Sequence, residues 1–161
     1  MESYRIALLG LGTVGGAVVE LLAATRKECA VRAGRPIEVS RIVVRDPSKK
    51  RTVPADLPGH PTIRGDAIEA IEDPNIDAIV ELAGGTEAPR EWIRLAFEQG
   101  KDVITANKAV LAVHGDELFD LAKEHGRSLY YEASVAAAVP ILQVIQQGIP
   151  AGPVDRLTGI L

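Results

Sequence analysis

The chain has 161 residues, with 18 Lys+Arg against 22 Asp+Glu, a formal net charge of −4. That length suits a single domain able to bury roughly 70% of the surface its unfolded chain exposes. A lone cysteine excludes an internal disulfide framework, no run reaches the ~18 apolar residues of a membrane span, the first residues lack a signal-peptide layout, and an acidic balance with 4% aromatics argues against a nucleic-acid binder.

Residues 6–9 form a short apolar run closed by glycine, the pattern of a buried parallel strand. Val14, Ala17, Val18, Leu21 and Leu22 then recur at helical spacing. Cys29 is placed on this first helix as a partly buried bystander. Arg35-Pro36 breaks before a second strand over 37–44, rich in β-branched residues. Residues 45–62, with Pro47, Pro54, Pro58 and Pro61, read as an exposed connection. A weak helix over 66–72 stops at Asp73-Pro74, and 77–82 is the next strand. A helix over 89–99 closes at Gly100, with Trp92 and Phe97 read as core. Residues 102–105 are a short strand. Leu118, Leu121, Ala122 and His125 share one face of a helix closed by Gly126. A strand over 128–131, a helix over 140–147 ending at Gly148, and a last strand from 155 complete the pattern.

Strands alternating with helices imply an α/β fold, doubly wound, with a mainly parallel sheet covered by helices on both faces. Such sheets bind ligands beyond the carboxyl ends of their strands, where the strand order reverses. The residues after each strand are therefore the candidates for function.

Gly10-Leu11-Gly12-Thr13-Val14-Gly15 is a G-x-G-x-x-G directly after the first strand and directly before a helix. Gly10 suits a tight turn, Gly12 lets backbone approach a pyrophosphate, and Gly15 lets helix and strand pack closely. Free N–H groups around Thr13 and Val14, at the helix start, would meet the phosphate charge. The second strand ends in Val44-Arg45-Asp46, followed by Lys49, Lys50 and Arg51. A cation where an acidic residue would bind ribose hydroxyls favours NADP(H), and Asp46 keeps NAD(H) in play. Ala83, Gly84 and Gly85 follow the next strand, and Thr86 or Glu87 is expected to cap the helix after it. Thr105, Asn107 and Lys108 follow another, with Lys108 at a helix start where a cation opposes the helix dipole. A lysine beside a nicotinamide can polarise a carbonyl oxygen or bond an alcohol. Glu132 suits a cation, a substrate amine or the cap of the next helical turn. His60, His114 and His125 lack zinc-ligand spacing.

In order, Gly10–Gly15, Val44-Arg45-Asp46, Glu81-Leu82-Ala83-Gly84-Gly85, Thr105-Ala106-Asn107-Lys108-Ala109 and Tyr131-Glu132-Ala133-Ser134-Val135, with Pro140-Ile141 and Gly159-Ile160-Leu161, resemble the N-terminal half of homoserine dehydrogenase. The resemblance spans essentially the whole chain. It implies a Rossmann-type cofactor domain over residues 1–161, its last dozen residues leading toward a substrate and dimerisation domain absent here. It also implies NAD(P)-dependent interconversion of aspartate 4-semialdehyde and homoserine, a step toward threonine, methionine and isoleucine, in a cytoplasmic and homodimeric parent. By motif, Lys108 is catalytic, and Glu132, Val135, Ala137 and Val139 surround a monovalent cation, Na+ or K+. Ala136, Ala137 and Ala138 stand where the family often has glycine, which restricts that backbone. The family's further catalytic aspartate and lysine lie beyond Leu161, so this chain alone is expected to bind cofactor with little turnover. Two alternatives share the layout: the cofactor domain of another small aldehyde or amino-acid dehydrogenase, and a non-catalytic nucleotide sensor.

Overall fold

The computed structural model describes residues 2–135 and 139–148, together with Arg156 and Thr158. Its elements run β1 (Tyr4–Leu9), α1 (Thr13–Ala24), α2 (Arg26–Ala33), β2 (Ile37–Val43), β3 (Thr62–Arg64), α3 (Ala67–Glu72) and β4 (Ala78–Glu81). They continue as α4 (Glu87–Glu98), β5 (Asp102–Thr105), α5 (Lys108–Glu124), β6 (Leu129–Tyr130), α6 (Glu132–Val135) and α7 (Ile141–Gly148). The strand expected from residue 155 lies outside the described residues.

The six strands form one sheet in the order β3-β2-β1-β4-β5-β6, every pair parallel. The chain builds outward from β1 to β3, then returns to place β4 on the other side of β1. The carboxyl ends of β1 and β4 are thus the point where strand order reverses, and a crevice opens there.

Alternation along the strands divides the core in two. Ala7, Leu9, Ile79 and Val103 pack with Ile71 of α3, Ile93 and Phe97 of α4, and Leu118 of α5. Ile6, Leu8, Ala78 and Val80 pack on the other face with Val19 and Ala23 of α1. Val39 and Ile42 join this second cluster although three residues apart, a spacing that alternation forbids. A bulge resolves it. Ile6 pairs with Val39 but Ala7 pairs with Arg41, leaving Ser40 as the extra residue.

Three expectations change. Cys29 lies on α2, a separate helix with no buried residue, because the chain breaks at Thr25. The 45–62 connection is not simply exposed. Its Leu57 is fully buried under β2, and Pro58 accepts a hydrogen bond from the Val39 N–H at 2.9 Å. Its end also enters the sheet, as β3. Trp92 is only partly buried, with Phe97 alone of the pair in the core.

Candidate functional site

Glycines bring β1, α1 and β4 together at the crevice. A methyl on Gly10 would lie 2.7 Å from the Leu82 carbonyl oxygen, so the ends of β1 and β4 meet closely only because no side chain intervenes. A methyl on Gly15 would lie 2.2 Å from the Gly10 carbonyl oxygen, which seats α1 on the turn. Gly12 has nothing within 4 Å of such a methyl; it faces open space. Gly12 is also the N-cap of α1 and carries no capping side chain. Among the described residues, α1 is the helix with neither a capping side chain nor an acidic residue in its first turn. The N–H groups about Thr13 and Val14 are therefore offered to an anion.

A cavity of about 580 Å³ opens in front of that helix end. Gly10, Gly12, Ala83 and Gly84 form its floor, with Arg45, Arg51 and Trp92 on its walls. The Arg51 guanidinium donates to the carbonyl oxygens of Asp46 at 2.7 Å and Lys49 at 3.1 Å, which curls the loop after β2 around the cavity. The Asp46 carboxylate accepts from the Ser48 hydroxyl and N–H, and those bonds hold its pKa below the usual value. Lys49 and Lys50 are exposed and do not line the cavity; the second cation at this wall is Arg51.

A second cavity of about 290 Å³ is bounded by Val14, Leu82, Gly84, Ala106, Asn107 and Lys108. It shares Leu82 and Gly84 with the first, so the loop after β4 forms the partition. Lys108 is the first residue of α5, exposed, and makes no ion pair among the described residues.

Beneath the partition lies a buried polar cluster that the sequence does not announce. Glu81, Thr105 and Asn107 are all buried, and Ser134 donates its hydroxyl to the Thr105 carbonyl at 2.7 Å. Neither Thr105 nor Gly85 lines either cavity. The Asn107 side chain is also engaged. Its oxygen accepts from the N–H groups of Ala109 and Val110, capping α5, and its amide donates to the Gly85 carbonyl at 2.9 Å. Thr86 occupies the N-cap of α4 without a capping side-chain bond. Glu87 instead accepts from Thr86 and pairs with His114, and the His114 bond keeps its carboxyl pKa low.

Glu132 takes the capping option. Its two carboxylate oxygens accept from the N–H groups of Leu142 and Gln143, at 2.9 and 3.0 Å, in the first turn of α7. Val135 and Val139 are exposed nearby, and Ala137 lies outside the described residues. Among the described residues, no three His, Cys, Asp or Glu side chains gather to hold a metal ion.

Comparison with known proteins agrees with this geometry. The family described as "Homoserine dehydrogenase, NAD binding domain" matches residues 10–132. Homoserine dehydrogenase of Bacillus subtilis is 37% identical over the whole chain, and that of Pseudomonas aeruginosa 40%; the chain spans 36% of the length of each. Among solved structures, homoserine dehydrogenase from Thiobacillus denitrificans superposes with a TM-score of 0.84 at 38% identity, over 92% of this chain and 33% of that one. A hyperthermophilic archaeal homoserine dehydrogenase solved in complex with NADPH superposes with a TM-score of 0.68 at 25% identity, over 89% of this chain and 48% of that one. With a six-stranded parallel sheet, a glycine turn at its switch point and a family match over more than half its length, the chain belongs to the homoserine dehydrogenase family and carries that family's NAD-binding domain.

Proposed function

We propose that the chain binds NADP(H) in preference to NAD(H), as the cofactor domain of an enzyme interconverting aspartate 4-semialdehyde and homoserine. The observation that carries the cofactor reading is the uncapped α1 N-terminus facing a cavity walled by Arg45 and Arg51. The pyrophosphate would take the N–H groups at Thr13 and Val14, with Gly12 leaving room for it. Arg45 and Arg51 would pair with a 2′-phosphate on the adenosine ribose, since guanidinium groups match phosphate oxygens in planar pairs. The contributions of Lys49 and Lys50 are long-range only, because they stand off the wall.

The cofactor supplies a hydride donor or acceptor when bound. Lys108 would donate a hydrogen bond to the substrate oxygen; its position at the edge of the smaller cavity, at the start of α5, supports that role. A monovalent cation, Na+ or K+, would be held by Glu132, Val135, Ala137 and Val139, largely through main-chain oxygens, as the resemblance implies. The resemblance carries two further expectations, a cytoplasmic location and a homodimeric parent. The chain spans about 36% of its curated relatives, and alone it is expected to bind cofactor with little turnover of homoserine.

Calorimetric titration with NADP+, NAD+ and homoserine tests this. Tighter binding of NADP+ than NAD+ is expected, with no measurable homoserine binding. Arg45→Ala should weaken NADP+ by about tenfold, the loss of one charge-assisted contact, and leave NAD+ nearly unchanged. Equal losses would remove Arg45 from this role, and absence of any dinucleotide binding would overturn the reading.

A further inference from the structure

We propose that Glu81 is a positioning residue for the nicotinamide half of the bound dinucleotide, acting through the loop after β4. The inference deepens the cofactor reading and rests on it. Glu81 ends β4, is fully buried, and lines neither cavity. A carboxyl group at that depth is costly unless each oxygen is bonded. Both are, and both bonds lead toward the functional edge. One oxygen accepts from the Ala83 N–H at 2.8 Å, and the other from the Thr105 hydroxyl at 2.7 Å.

The direction of the second bond follows from its neighbour. The Asn107 N–H donates to the Thr105 hydroxyl oxygen at 3.0 Å, so the single hydroxyl hydrogen is left for Glu81. Asn107 then donates to the Gly85 carbonyl at 2.9 Å. The bonds close a ring: Glu81, Thr105, Asn107, Gly85, and back along the loop to Ala83. Gly84 and Gly85 both have φ near +80° (78° and 82°), and a methyl on either would meet nothing within 4 Å. The loop thus has no packed side chain of its own between Ala83 and Gly85. Two hydrogen bonds at its ends fix where it runs, and Glu81 supplies one of them directly and supports the other through Thr105.

That placement matters because the loop divides the two cavities. The half of the sheet built from β1, β2 and β3 carries the arginine wall, which suits the adenosine half. The β4 and β5 ends therefore face the nicotinamide half, as in a fold made of two mononucleotide-binding halves. The same ring ends at Asn107, whose cap sets the start of α5 and hence the position of Lys108. A carboxylate suits the ring, since it offers two acceptors and demands none. Glutamine keeps the shape but replaces one acceptor with a donor.

The test compares Glu81→Gln, Thr105→Val and Thr105→Ser in this chain, with calorimetric titrations of NADP+ and of 2′-phospho-ADP, which keeps the adenosine half with its 2′-phosphate and lacks the nicotinamide half. Glu81→Gln and Thr105→Val are each expected to weaken NADP+ by about tenfold, the scale of one lost hydrogen bond to a charged group. Affinity for 2′-phospho-ADP should stay within about twofold, and Thr105→Ser, which keeps the hydroxyl, should retain most NADP+ affinity. Unchanged NADP+ binding in both variants overturns the proposal. So do parallel losses of NADP+ and 2′-phospho-ADP, which would leave Glu81 a purely structural role. If Glu81→Gln fails to fold, the contrast between valine and serine at 105 decides on the same criteria. A wild-type chain that binds 2′-phospho-ADP but gains nothing from the nicotinamide half also overturns it, whereas a wild-type chain that binds neither ligand sinks the cofactor reading itself.

Discussion

Gly15→Ala isolates the contact that seats α1. The added methyl would stand 2.2 Å from the Gly10 carbonyl oxygen, more than 1 Å closer than ordinary contact allows. That oxygen cannot retreat cheaply, because the Gly10 N–H is bonded to the Val43 carbonyl at 2.8 Å and Gly10 is itself pressed against Leu82. The helix must therefore lift from β1, loosening Leu8 and Val19 on the α1 face of the sheet. Overpacking of this kind costs about 1–3 kcal/mol, and alanine's better helix propensity returns up to about 1 kcal/mol. A 2.2 Å approach to backbone belongs in the upper part of that range, about 2–3 kcal/mol, so the net loss is about 1–2 kcal/mol, or roughly 3–6 °C in Tm for a chain of this size. Gly16→Ala is the matched control, one residue along the same helix with nothing within 4 Å of the new methyl. It should raise Tm by up to about 3 °C. Thermal melts followed by circular dichroism measure both. If the two variants melt together, the steric account of the glycine turn is wrong.

Gly12→Ala should leave Tm within about 3 °C of wild type, since the fold offers its methyl no obstacle, yet cut NADP+ affinity severely; intact binding would remove the pyrophosphate from that space. Lys101 is buried and donates to the carbonyls of Asp73 and Ile76, with burial pushing its pKa down, so Lys101→Met should cost about 1–3 kcal/mol by orphaning the Ile76 carbonyl, while the Asp73 carbonyl keeps the Ile76 N–H. An unchanged urea midpoint would contradict this. Asp73 accepts the Asn75 N–H and pairs with Arg41, and those contacts hold its pKa below the usual carboxylate value. A lowered folded-state pKa stabilises above the unfolded value and is lost as pH falls through the folded one. Asp73→Asn should therefore lose less Tm than wild type between pH 5 and about pH 2; identical acid profiles would sink the assignment.

Legibility in the sequence followed burial. The strands β1, β4 and β5 carry short apolar runs and β2 is rich in β-branched residues, so the sequence places all four to within about two residues. α2 was not, because it buries nothing and so carries no apolar stripe; its clearest signal is Gly34, left-handed at its end. β3 has three residues, two of them exposed, and its pairing depends on a neighbour far along the chain. Leu57 sits among prolines with no period, so only the fold reveals that it is core. At the site, the glycine turn and Arg45 were visible because their roles are local. Arg51 outranks Lys49 and Lys50 only once the loop curls, and the Glu81 cluster needs β4 beside β5. The capping bonds of Glu132 likewise need α7 beside it, a neighbour the local sequence does not supply.

The extra residue at Ser40 divides β2 into two lengths, each paired with β1 in its own register. On the outer side, Val39 answers to Pro58; on the inner side, Arg41, Ile42 and Val43 answer to β3 and to the turn at Gly10. Such a joint lets the remote half of the strand gain or lose a residue without dragging Arg45 off its wall. Variation in the stretch from Arg35 to Ser40 is thereby insulated from the edge where the nucleotide is held.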